Sequence, residues 1–92
     1  MRRLFIDTSA WIARSFTDEL HHEAVAASFR MAAADYGALV TTDMVLAETQ
    51  ILLRVSWSVL KVNQWWRRLL ASPRLELRFT DRRRWDQAWE LL

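Results

Sequence analysis

Asp7 is an acidic residue placed where a carboxylate could do chemistry. It directly follows the apolar run Leu4–Ile6, which predicts a short strand buried on both faces. Thr8 and Ser9 come next and, like Asp7, could cap a helix that starts at Ala10. A carboxylate at such a junction lies where open α/β folds bind ligands, at the carboxyl ends of parallel strands. The local sequence therefore leaves two roles open for Asp7, helix cap and ligand for a bound group.

Glu48 is a second carboxylate in an unusual place, within a helix predicted over 44–55. Its neighbours at helical spacing are apolar: Met44, Val45, Ile51 and Leu52. This pattern predicts that Glu48 is buried in an apolar stripe, where an unpaired carboxylate costs several kcal/mol. Glu48 would then have to be protonated, paired with one of the arginines, or bound to a metal.

The two carboxylates are expected to meet at one edge of a sheet. Glu48 follows a second predicted strand, 38–41, much as Asp7 follows the first. In a parallel sheet, the elements that follow buried strands begin at the same carboxyl edge. The chain has no cysteine, so oxygen ligands are the expected donors. Two converging carboxylates predict a site for a hard cation, Mg²⁺ or Mn²⁺.

The order of the predicted elements indicates an α/β fold. They are a strand at 4–6, helices at 10–15 and 19–35, a strand at 38–41, helices at 44–55 and 57–71, a strand at 75–79, and a last helix capped by Thr80 or Asp81. Strands separated by helices predict a parallel sheet with right-handed crossovers. The strand at 75–79 alternates apolar and charged residues, so we expect one solvated face. The Trp65–Trp66 pair is expected in the core.

Length and composition predict a single domain of 92 residues. The last predicted helix reaches Leu92 without a closing strand, so we expect a domain over 1–92 that lacks its C-terminal strands. No signal peptide or membrane-spanning run is present in the sequence, and a cytoplasmic protein is expected. Twelve arginines against one lysine suit phosphate partners.

Four segments in order resemble the PIN-domain nucleases, above all the VapC-type toxins of bacterial toxin–antitoxin pairs. They are LFIDTSA at 4–10, DELHHEA at 18–24, VTTDMVLAET at 40–49 and ASPRLEL at 71–77. The spacing between Asp7 and Glu48 also fits that family. The resemblance covers the whole chain, which matches the N-terminal two-thirds of a usual PIN domain. It implies a PIN-like, Rossmann-like parallel sheet flanked by helices.

The resemblance also implies a function and a set of site residues. It implies a metal-dependent endoribonuclease in which a metal-activated water attacks RNA. On the matching positions, Asp7 and Glu48 would be catalytic metal ligands, with Thr8 and Ser9 as supporting polar groups. Expected partners are RNA, an antitoxin protein and a second copy in a homodimer.

The chain also departs from the family pattern, because it holds two of the usual four acidic positions. The expected result is weak or absent activity, since two carboxylates hold Mg²⁺ loosely. An alternative is a non-catalytic module that binds an antitoxin-like partner or itself. A further hypothesis takes Arg82, Arg83 and Arg84 as contacts to the RNA backbone, although a solvated helix face is the simpler interpretation.

Overall fold

A three-stranded parallel sheet carries five helices, as the sequence predicts. The computed structural model describes residues 2–18, 20–35 and 37–91. In chain order the elements are β1 (Arg3–Phe5), α1 (Thr8–Ser15), α2 (His22–Asp35), β2 (Ala38–Thr42), α3 (Asp43–Ser56), α4 (Val59–Ala71), β3 (Leu75–Arg78) and α5 (Arg82–Glu90). The α/β fold class and the element order β-α-α-β-α-α-β-α are confirmed.

The strands lie in the order β1-β2-β3, so β2 is the central strand. Leu4 pairs with Leu39, and Leu39 pairs with Leu75. Because side chains alternate along a strand, these leucines share one face of the sheet. That face packs against the core cluster of Ile6, Trp11, Phe29, Leu46 and Leu69.

The opposite face of the sheet is accessible on the two outer strands, β1 and β3. It carries Phe5, which is 55% exposed, and Glu76, which bonds Arg3 and Arg78 at 3.0 Å. The expectation that the first strand is buried on both faces is therefore wrong, because α1 to α4 supply core contacts to one face only. The single solvated face expected for β3 is confirmed by Glu76 and Arg78.

A buried hydroxyl ties the first strand, the central strand and the first helix together. Thr41 has no exposed surface. Its Oγ1 donates to the carbonyl of Ile6 at 3.0 Å and accepts from Nε1 of Trp11 at 3.3 Å. The indole of Trp11 in turn packs edge-on against Trp65. Ile6, which lies between β1 and Asp7, is thereby held from inside the core.

Capping side chains set most helix starts, and several differ from expectation by a few residues. Asp7 caps α1, which begins at Thr8 rather than Ala10. Ser58 caps α4, which begins two residues later than predicted. The expected start of the second helix, Glu19, lies outside the described residues, and α2 begins at His22. For α5 the expected cap Asp81 is confirmed.

The two C-terminal helices differ in how well they are covered. Trp65 and Trp66 of α4 pack against the core, as predicted. No residue of α5 is buried between Arg82 and Glu90, and Trp85 and Trp89 contact each other with much of both side chains exposed. Within residues 2–18, 20–35 and 37–91, no helix is both long and apolar enough to span a bilayer.

Replacing Thr41 by Val should destabilise the fold. The change leaves the indole N–H of Trp11 without its buried acceptor, so we expect a loss of about 1–3 kcal/mol of unfolding free energy. Urea denaturation followed by tryptophan fluorescence measures it. Thr49→Val is the matched control because Thr49 is equally buried, but its hydroxyl only donates to the helical carbonyl of Val45. Equal losses in the two variants would contradict this account.

Candidate metal and nuclease site

Asp7 is the N-cap of α1 and also faces solvent at the carboxyl end of β1. Its backbone is extended, with φ −94° and ψ 178°. Its Oδ1 accepts from the amide of Ala10 and from the hydroxyl of Ser9, both at 3.0 Å. Thr8 and Ser9 are helical residues, so neither is the cap. Both bonds go to one carboxylate oxygen, and capping therefore leaves Oδ2 outside this pair of contacts.

Glu48 lies on α3 and meets the start of α1 through a hydroxyl. The Oγ1 of Thr8 donates to Oε2 of Glu48 at 3.2 Å. The same hydroxyl also lies 3.4 Å from the carbonyl of Val45. Thr8 is half-buried between the two helices, so it holds the first turn of α1 against α3 and places the Glu48 carboxylate on the Asp7 side.

Glu48 is exposed, so the expectation of a buried carboxylate is wrong. The inward side of α3 consists of Leu46, Thr49 and Leu53. Of the apolar neighbours that suggested burial, Val45 packs against the core, whereas Met44, Ile51 and Leu52 are exposed, Ile51 to 65%. The helix is apolar on more than one side, and the side nearest Glu48 does not face the core.

The two carboxylates line one open groove at the carboxyl edge of the sheet. Their supporting residues Thr8 and Ser9 line it as well, together with Ile12, Ala13, Val45 and Leu52. The polar donors in the groove are oxygen atoms, and its walls are largely apolar. Carboxylate and hydroxyl oxygens suit hard cations such as Mg²⁺. In the part of the chain that the structure describes, no group of three or more acidic, histidine or cysteine residues could hold a metal.

Asp43 is a third acid at the same edge of the sheet, and it makes a contact that is distant in sequence. Thr42 is the cap of α3, and Asp43 is the first helical residue. Its Oδ1 accepts from both the amide and the hydroxyl of Thr80 at 2.9 Å. These bonds lower the pKa of the Asp43 carboxyl below its usual value. Asp43 thus fastens the segment after β3 to α3, a long-range partner that local sequence does not indicate.

The three arginines considered for RNA contact lie apart from the groove. Arg82, Arg83 and Arg84 form the exposed first turn of α5, and none of them lines the groove. Arg82 pairs with Asp86 one turn later at 3.0 Å. The structure thus brings Asp7, Thr8, Ser9 and Glu48 together and does not bring these arginines to them.

Comparison with known families decides which fold family this geometry represents. The model of the PIN domain matches residues 4–92. The chain belongs to the PIN domain family. A search of curated proteins finds no match.

A solved structure supports the PIN fold. The chain is similar to VapC20 of Mycobacterium tuberculosis, a toxin that cleaves the sarcin–ricin loop, with a TM-score of 0.76 and 24% sequence identity. The match covers 96% of this chain and 65% of the toxin chain. This PIN chain therefore spans about two-thirds of the length of that relative.

Two substitutions at Asp7 should separate its capping role from its charge. Asparagine caps helices about as well as aspartate, so Asp7→Asn should change the unfolding free energy by less than about 0.5 kcal/mol. Asp7→Ala removes the acceptor for the Ala10 amide and should cost about 1 kcal/mol. Thermal and urea denaturation in a metal-free buffer measure both. A loss in Asp7→Asn as large as in Asp7→Ala would contradict the capping account.

Proposed function

We propose that this PIN domain chain belongs to a metal-dependent endoribonuclease, a toxin of a toxin–antitoxin pair. The observation that supports the proposal is that Asp7 and Glu48 line one groove, where the hydroxyl of Thr8 bonds Glu48. This is the edge of a parallel sheet at which α/β folds bind ligands. The family membership makes the same groove the first place to look for nuclease chemistry.

The donors in the groove fit Mg²⁺ or Mn²⁺. We propose that Asp7 and Glu48 hold the ion, because proteins bind Mg²⁺ through one or two carboxylates together with water and substrate phosphates. Thr8 orients Glu48, and Ser9 donates to Asp7. When bound, the ion would supply Lewis-acid stabilisation of phosphate charge and a more acidic water. The protein's own part is to place two carboxylates beside an accessible phosphate.

The partners follow from the same proposal. VapC20 is a toxin that cleaves the sarcin–ricin loop, and we propose RNA as the substrate of this chain, an antitoxin protein as its regulator, and the cytoplasm as its location. The open groove suits a strand of RNA better than a small molecule, since solvent reaches Asp7 and Glu48 directly.

We expect the 92-residue chain alone to cleave RNA weakly or not at all in Mg²⁺. Two carboxylates leave most of the ion's coordination to water, so the ion is held loosely. Mn²⁺ binding, measured by water proton relaxation, should be weak and should weaken further by roughly tenfold or more in Asp7→Asn and in Glu48→Gln. Cleavage of a labelled RNA is measured in parallel.

Glu23→Gln serves as the control, because it removes one exposed carboxylate on α2 away from the groove. It should leave Mn²⁺ binding unchanged. Robust Mg²⁺-dependent cleavage that disappears in Asp7→Asn would refute the prediction of low activity and still support the assignment of the site. Mn²⁺ binding that is unchanged in both site variants would rule out the proposed metal site.

A second candidate function is a protein-interaction module, which the exposed apolar side of α3 favours. Met44, Ile51 and Val55 expose 53%, 65% and 81% of their surfaces. Monomeric proteins seldom expose contiguous apolar patches of large size unless they bind a partner. We propose that this side of α3 contacts an antitoxin-like protein or a second copy of the chain.

Self-association through α3 is testable by light scattering during size-exclusion chromatography. The molar mass should rise with concentration and should fall to that of a monomer in the double variant Ile51→Gln/Val55→Gln. Both side chains are largely exposed, so the variant should keep its thermal stability within the small range usual for surface changes. A monomer at all concentrations, with no antitoxin bound, would argue against this second function.

A further inference from the structure

A second pocket lies at the opposite edge of the sheet from the carboxylate groove. It is lined by the first residues of strands, Leu39 near the start of β2 and Leu75 at the start of β3, and by the last turns of α1 and α4. The polar and aromatic residues that line it are Trp11, Arg14, Ser15, Trp57, Trp65, Arg68 and Ser72. It shares no lining residue with the carboxylate groove.

The charged residues that line this pocket are all positive. Arg14 and Arg68 both line it, and none of the described residues around it is acidic. Among the ion pairs of the described chain, neither arginine has a carboxylate partner. Arg14 lies over the ring of Phe29, 4.6 Å from its centroid. Burial lowers the pKa of the Arg14 guanidinium, because this charge is partly removed from water.

A third cation lies beside the pocket. The Nζ of Lys61 lies 4.1 Å from the ring centroid of Trp57, which lines the pocket wall. The hydroxyls of Ser15 and Ser72 add neutral hydrogen-bonding groups, although Ser15 already donates to the carbonyl of Trp11 at 2.7 Å. Guanidinium groups donate two parallel bonds to phosphate oxygens. The pocket therefore has the chemistry of an anion site with aromatic walls.

Stabilisation of helix ends does not account for this arrangement. A cation in the last turn of a helix is favoured by the helix dipole, and Arg14 and Arg68 occupy those turns in α1 and α4. The helix dipole stabilises a cation on any side of the last turn, so it does not favour the side that faces the pocket. It gives no reason for two guanidinium groups from different helices to line one cavity, where their like charges repel.

We propose that this pocket binds a backbone phosphate of RNA through Arg14 and Arg68. The proposal rests on the proposed function in taking RNA as the ligand. Helix α1 runs from the carboxylate groove to the pocket and has eight residues, so its length is about 12 Å. One RNA strand that follows α1 over this distance can therefore place one phosphate in the groove and another in the pocket.

The test is RNA binding by the double variant Arg14→Gln/Arg68→Gln. Fluorescence anisotropy of a labelled single-stranded RNA in EDTA measures Kd without cleavage. We expect Kd to rise at least about tenfold, the effect of losing one charge-assisted hydrogen bond. The slope of log Kd against log salt should fall by about 0.7 for each lost phosphate contact.

The matched control is Arg30→Gln/Arg67→Gln. It removes the same charge from two exposed arginines, one of them the neighbour of Arg68 on α4, and neither lines the pocket. It should change Kd less than about twofold, since it removes only long-range attraction. Arg14→Lys/Arg68→Lys keeps both charges and should recover part of the affinity, which excludes misfolding as the cause of the loss.

Several outcomes would overturn the proposal. Equal losses in the test and control variants would mean that only net charge matters. Displacement of the RNA by an equal phosphate concentration of adenosine monophosphate would assign the pocket to a free nucleotide. Binding of polyglutamate in place of RNA would assign it to an acidic peptide. Because the assay needs neither metal nor cleavage, its result is independent of whether the carboxylate groove cleaves RNA.

Discussion

The hydroxyl of Thr41 is the contact on which the geometry of the carboxylate groove depends. The first strand has three residues, and just beyond its end the amide of Ile6 donates to the carbonyl of Val40 on β2 at 2.8 Å. Thr41 bonds the carbonyl of Ile6, one residue before Asp7, and accepts from the indole of Trp11 in the core. A buried polar group must find partners, and here the partners are the Ile6 carbonyl, just after β1, and the indole of Trp11 on α1. Satisfying one hydroxyl therefore fixes the strand end, the helix after it and the acid between them.

The position of Glu48 depends on a different contact, the packing of α3. Thr49 and Leu53 are fully buried on the inward side of that helix. Their burial turns Glu48 outward beside Thr8, which bonds it. The two carboxylates are thus placed in the groove by different contacts. Asp7 is placed by the end of the first strand, and Glu48 by the orientation of α3 about its own axis. Thr8 lies in the first turn of α1 and contacts Val45 and Glu48 on α3. It therefore links the helix that Asp7 caps to the helix that carries Glu48.

The order of elements was predictable because apolar runs, capping residues and the proline at 73 divide the chain at short range. Asp7 and Glu48 could be brought to one edge by the rule for parallel strands. The exposure of Glu48 could not be predicted, because α3 carries apolar residues on both sides and periodicity does not say which side faces the core. Contacts across the fold, such as Asp43 to Thr80, leave no local signal. The two faces of β1 differ for the same reason, since burial depends on which helices pack there.

Capping by Asp7 is compatible with the metal binding that we propose for it, and the cap would make Asp7 a better ligand. The bonds from the Ala10 amide and the Ser9 hydroxyl hold Oδ1, which restricts rotation of the carboxylate before any ion arrives. A ligand that is already ordered loses less conformational entropy on binding. Glu48 has a longer side chain and one hydroxyl contact, so it retains more freedom to adjust. The groove therefore combines one carboxylate of fixed direction with one that is free to adjust to the proposed ion.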